Sequence, residues 1–116
     1  MWQIEPSTQW EKGLRYYEKK HPDELAAVLN NLNRYMSLLK TAPNSRSIQA
    51  GFLHGEPGGV VAIDQKGGGG NLQETRLYTV AVDSQQIVHL ITIGNKADQP
   101  SDVSYSKAFA ESLVNP

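Results

Sequence analysis

Residues 74–96, ETRLYTVAVDSQQIVHLITIGNK, decide how the rest of the chain folds. Two stretches rich in β-branched and apolar residues, 75–82 and 87–93, flank the polar tetrapeptide Asp83-Ser84-Gln85-Gln86, which has the composition and length of a hairpin loop. The two strands are therefore read as antiparallel neighbours. In the second, His89 is the one polar interruption once Thr92 is counted by its methyl group, so this strand is expected to be covered on both faces and to lie centrally in a sheet. Gly94 then frees the backbone to turn and Lys96 leaves a cation at the strand's mouth. Arg76 opens the partner strand near the same end.

Upstream of this hairpin the apolar spacing changes from two to three and four. Thr8-Gln9-Trp10-Glu11 matches a capping box and predicts a helix start, with Trp10, Leu14 and Tyr17 on one face. The pattern stops at His21-Pro22, because a residue before proline is pushed out of the α region, and Pro22 suits the first position of a second helix. From Asp23 onward, Leu25, Val28, Leu29, Leu32, Tyr35, Met36 and Leu39 form one stripe that ends at Ala42-Pro43. So short a connection predicts an antiparallel helical hairpin. Residues 1–4 alternate weakly and suggest a short edge strand closed by Pro6. Residues 44–59 read mainly as loop, anchored by Gly51-Phe52-Leu53. Val60-Val61-Ala62-Ile63 reads as another strand, separated from the main hairpin by a glycine-rich loop. Near the C-terminus, Ser101 and Asp102 are cap candidates for a short helix with Tyr105, Phe109 and Leu113 on one face. The expected class is α+β: an N-terminal helical hairpin on a small, mostly antiparallel sheet, then a terminal helix.

At 116 residues the chain is expected to form a single domain over residues 1–116. Its formal charge of -1 provides no bulk basic field, so any anion site must be local. The absence of cysteine excludes a disulfide framework, a thiolate metal site and a thiol nucleophile. No apolar leader opens the chain and no window is long enough to span a bilayer, which predicts a cytoplasmic protein with no membrane partner.

The four glycines at 67–70 invite a phosphate-loop reading, but no Gly-Lys-Ser/Thr ending follows and the next element is a strand, so they are read as a flexible loop. His21, His54 and His89 have no metal-ligand spacing, and no metal or cofactor is expected. His89 reads as a core residue. His54 stands in a loop two residues before Glu56 and is the histidine placed to reach a cleft as acid or base. Asp64 reads either as a turn-stabilising aspartate or as a base or lysine partner. Arg76, Lys96 and Tyr105 make the sharper set. Metal-free RNA cleavage needs a group for the 2′-hydroxyl proton, cations for the charge on phosphorus and a donor for the leaving 5′-oxygen. Against this, Arg76 also suits a cross-strand salt bridge, Lys96 an exposed strand-end charge and Tyr105 a helix anchor.

The stretch HLITIGNKADQPSDVSYSKAFAESL resembles the C-terminal signature of the RelE/ParE toxin superfamily: a strand ending in an aliphatic residue, glycine and basic residues, then a tyrosine opening a last helix. TRLYTVAVD likewise resembles that family's tyrosine-arginine-aliphatic strand. The resemblance, over residues 8–114, implies a toxin of a type II toxin–antitoxin pair that cuts mRNA in the ribosomal A site and is neutralised by a cognate antitoxin. It implies that Arg76 steadies the phosphate, that Lys96 stands where a catalytic arginine is usual, and that Tyr105 orients or stacks on the nucleotide. Lysine at 96 keeps the charge but lacks the planar fork that grips phosphate. The alternative implied by the same family is a catalytically silent binding module, either gyrase-inhibiting like the ParE branch or a regulatory partner domain. The near-neutral charge suits this alternative, because RNA binding draws heavily on phosphate neutralisation.

Overall fold

The computed structural model describes residues 1–66 and 71–114. The elements are β1 (Gln3–Pro6), α1 (Thr8–Lys20), α2 (Pro22–Thr41), β2 (Leu53–Gly55), β3 (Val60–Gln65), β4 (Thr75–Val82), β5 (Ile87–Asn95) and α3 (Gln99–Val114), with short helical turns at Ser45–Ser47, Pro57–Gly59 and Lys96–Asp98. The class is α+β, as the patterning predicts. The four expected strands and one more, β2, pair in a sheet of order β1-β5-β4-β3-β2, in which, among the described residues, only the β1–β5 pairing is parallel. β2 falls within the stretch the sequence reads as mainly loop. It forms because Leu53 pairs with Ile63 and Gly55 with Val61, a partnership invisible in so short a run. The glycine loop at 67–70 lies outside the described residues.

β5 is an interior strand, flanked by β1 and β4, as its two-sided apolar pattern requires. Tyr78 pairs with Thr92 while Thr79 pairs with Leu90, so Ile91 is the extra residue of a bulge. Leu90 and Ile93 join the core beneath α1 and α2, whereas Ile91 joins a second cluster beneath α3 with Val60, Ala62, Tyr78, Val80 and Ala110. The helical hairpin thus covers one face of the sheet and α3 covers part of the other. At Gly13 the backbone of α1 comes so close to β5 that a Cβ would stand 2.6 Å from Ile93 Cγ2, which explains a glycine inside a helix.

Two local expectations are corrected. The cap of α1 is Ser7, not Thr8: the Ser7 hydroxyl accepts from the backbone N–H of Trp10 at 3.0 Å and donates to the Ile91 carbonyl at 2.7 Å. Serine wins because a single oxygen there both caps the helix and ties it to β5. Ser7→Ala is expected to cost about 1–2 kcal/mol in thermal unfolding, a typical loss for an N-cap. Thr8→Ala, at the first helical position, should stay within about 0.5 kcal/mol of wild type. The second correction concerns α3. It buries Ser106 and Ala110, with Val103 and Phe109 partly covered, while Tyr105 and Leu113 face solvent. Spacing of four placed those two on Phe109's face, but the helix lies on the sheet through its small residues, which allow closer approach.

Candidate functional site

Strand parity brings the site together. Val60, Ala62, Tyr78 and Val80 point from the sheet toward α3, so residues of the same parity, Asp64 on β3 and Arg76 on β4, share that face. Asp64 pairs with Arg76 across the strands, and Arg76 with Gly94 of β5, which makes one transverse row. His54, opposite Ala62, enters the same face from the edge strand β2.

Asp64 is the hub. Its side chain is 2% exposed, with Oδ2 2.6 Å from His54 Nε2 and Oδ1 3.1 Å from Arg76 Nε. The terminal nitrogens of Arg76 make longer contacts, 3.5 Å to Glu56 and 3.4 Å to Glu74. Arg76 retains 15% side-chain exposure and His54 38%, so the network runs from a buried carboxylate outward to a wet imidazole. Burial pushes the Asp64 carboxyl above its ordinary value, and the opposing charges of Arg76 and His54 only partly offset this. A carboxylate this deep persists because both of its oxygens are engaged. The Asp64 carbonyl also accepts from Asn31 Nδ2 of α2, at 2.6 Å, which fixes the strand beneath the network.

The geometry defines the chemistry available to His54. Its Nε2 lies against the carboxylate, which leaves Nδ1 as the nitrogen turned away from Asp64. A histidine oriented by a buried aspartate is an arrangement suited to accepting and returning a proton. Arg76, aimed through Nε, keeps two terminal nitrogens on long contacts that an incoming anion could compete for. Among the described residues no group of three or more His, Asp or Glu is arranged to hold a metal ion.

The structure therefore joins His54 and Arg76, through Asp64. Lys96 opens the exposed helical turn after β5, two residues beyond Gly94, and Tyr105 is 44% exposed on α3. Among the described residues, no hydrogen bond or ion pair ties either one to the network. A hollow of about 810 Å³ between β1 and α2, lined by Trp2, Ile4, Met36 and Leu39, contains none of the four. Neither protein-family models nor curated proteins match the chain.

Sequence reading weighed Asp64 without its true partners, named Glu56 only as a neighbour of His54, and did not single out Glu74. Asp64 has a guanidinium and an imidazole for partners rather than a turn or a lysine. Its signal was parity, since Asp64 shares the face of Ala62 and a β3–β4 hairpin sets it opposite Arg76. Glu56 and Glu74 carried no comparable signal. Tyr78 is wholly buried beneath α3, and burial raises its phenol, with Asp102 the chief neighbouring charge and Arg76 opposing.

Proposed function

We propose that this chain is a RelE/ParE-type toxin of a toxin–antitoxin pair, a metal-independent endoribonuclease acting on mRNA at the ribosome, with His54 moving the proton and Arg76 meeting the phosphate. The observation that carries this reading is the shared Asp64 carboxylate, which positions an imidazole and a guanidinium side by side on one partly open surface. It is supported also by the helical hairpin, antiparallel sheet and terminal helix that the family resemblance implies. In the reaction, His54 Nδ1 takes the proton of a ribose 2′-hydroxyl, the 2′-oxygen bonds to phosphorus, and the P–O5′ bond breaks. This leaves a 2′,3′-cyclic phosphate and a 5′-hydroxyl, to which a protonated group returns the proton. Arg76 stabilises the negative charge on the phosphoryl oxygens. Lys96 and Tyr105, both solvent-facing, are assigned to the substrate strand outside this pair. A cognate antitoxin would neutralise the toxin.

One observation favours a second reading. Arg76 has three carboxylates around it, so the network carries excess negative charge when all three are ionised, and the chain as a whole is at -1. Such a surface does not attract RNA at a distance. It suits the silent binding module, whose target is a protein.

The readings separate on one experiment. Purified protein is incubated with programmed ribosomes and transcript ends are mapped, for wild type, His54→Ala and Arg76→Ala. The nuclease reading expects new ends with wild type and a loss of about 10²–10⁴-fold in rate for His54→Ala, the usual range for an acid–base group. If wild type arrests growth on induction yet makes no new ends, and His54→Ala arrests growth equally, the binding reading replaces it.

A further inference from the structure

Beneath α3 lies a second polar cluster. Asp102 and Ser106, one turn apart on the helix, both face the sheet. Asp102 Oδ2, Ser106 Oγ and the Tyr78 hydroxyl are each buried and have no hydrogen-bond partner among the described residues. Buried polar atoms are almost always paired, so three without partners at one interface mark a contact that is costly to keep closed. Asp102 sits against the backbone of Gly94, where a Cβ would stand only 2.0 Å from its Oδ2. The apolar grip on the other side is small: Ala110 is the only buried apolar residue of α3, helped by partly covered Val103 and Phe109. A helix held by so little apolar area over unpaired polar atoms belongs to the part of a fold that opens first.

We propose that α3 is a proton-operated cover, seated on the sheet when Asp102 is protonated and lifted from it when Asp102 is ionised, thereby uncovering the Gly94 end of the row that holds Arg76 and Asp64. A protonated Asp102 loses its charge and gains a donor, whereas an ionised one is a carboxylate with a dry oxygen and no cation against it. The groups facing it offer no positive charge directly. The turn before α3 contributes Asp98, α1 contributes the Tyr17 phenol, β4 contributes Tyr78 and β5 the Gly94 backbone, its His89 lying farther along the helix against Phe109. Arg76, Glu56 and Asp64 reach the cluster only through Tyr78. Accordingly, burial first and Asp98 second lift the Asp102 carboxyl from its ordinary 3.8 to about 6. The sign follows directly: this contribution to seating is fully present below 3.8 and is lost as pH rises through about 6. The cover also touches the site's periphery, because Lys107 of α3 packs on Gly58, two residues from the Glu56 that contacts Arg76. Any consequence for RNA cleavage rests on the proposed nuclease reading, but the motion itself does not.

The test uses hydrogen exchange of backbone amides in the full chain, corrected for the intrinsic pH dependence of exchange, with no RNA present. Protection of α3 is expected to fall about tenfold between about pH 5 and about pH 8, the change implied by that shift, while α2 stays constant. Asp102→Asn should abolish the fall. An α3 protection that does not change with pH overturns the proposal, as does a fall shared equally by α2 or one retained in Asp102→Asn. Should that variant not fold, the wild-type carboxyl carbon of Asp102 decides by NMR: titration near 6 accompanied by α3 amide shifts supports the cover, and titration in the ordinary aspartate range overturns it.

Discussion

Asp64→Ala is expected to destabilise the fold by about 3 kcal/mol, the low end of the loss seen when one partner of a buried ion pair is removed, because Glu56 and Glu74 still face the Arg76 charge. For a domain whose total stability is of order 5–15 kcal/mol, this is a large fraction, corresponding to a fall in Tm of about 10 °C or more. The size of the effect comes from the hub geometry. A single carboxylate stands 3.1 Å from Arg76 Nε and 2.6 Å from His54 Nε2, so its removal leaves two buried nitrogens without their ion-pair partner. Glu56 and Glu74 cannot take its place, since both reach only the terminal nitrogens of the guanidinium. Chemical and thermal unfolding measure the loss. A cost under about 1 kcal/mol would place the network among solvent-screened surface pairs and contradict the burial described for it. Combining Asp64→Leu with Arg76→Met should recover much of the loss, because apolar side chains of similar volume often replace a buried ion pair without penalty.

Gly94→Ala is the second large expected effect. A methyl group there would stand 2.0 Å from Asp102 Oδ2 and 3.1 Å from Asp98 Cβ. The carboxyl is a short side chain at a closed interface and the Asp98 contact belongs to a turn held by reciprocal bonds with Asn95, so neither neighbour can move cheaply. The start of α3 must shift outward, at a cost of about 1–3 kcal/mol, as in other overpacked interiors. Asp102→Ala in the same chain should return part of that cost. A double-mutant cycle on urea unfolding is expected to give a coupling of about 1 kcal/mol or more, as for residues in direct contact. Strict additivity would mean that Asp102 is not what Gly94 makes room for.

Much of this architecture was legible because the apolar period is strong where elements are long. The stripe from Leu25 to Leu39 and the two apolar, β-branched runs on either side of Asp83-Ser84-Gln85-Gln86 each admit one structure. The parallel partner of β5 was not legible, because pairing between residues so distant in sequence leaves no local trace. Nor was the bulge at Ile91, which lets one strand serve two cores and which a strict period-two reading obscures. At the site, residue type alone singled out His54 and Arg76, since an isolated imidazole in a loop and a cation in a buried strand are both unusual. Asp64 was harder to see: an aspartate at a strand's end is commonly a turn residue, and only the register with Arg76 reveals its role. Lys96 and Tyr105 group with Arg76 by side-chain chemistry and by the strand end they follow, neither of which encodes the direction a side chain takes from a helical turn or from α3.

The parallel pairing of β1 also bears on how the molecule is made. Gln3 meets Ile87, and Pro6 meets Leu90, so β1 leaves the ribosome long before the strand it pairs with. Until β5 has been translated, the nascent chain can form the helical hairpin and the β2–β3–β4 ribbon, but an interior strand of the sheet is missing. Closing so long a loop is entropically slow and depends on the helices already being in place. Premature termination just before residue 87 would leave α1 without β5, the strand it packs on, while α2 keeps β3 and β4 beneath it.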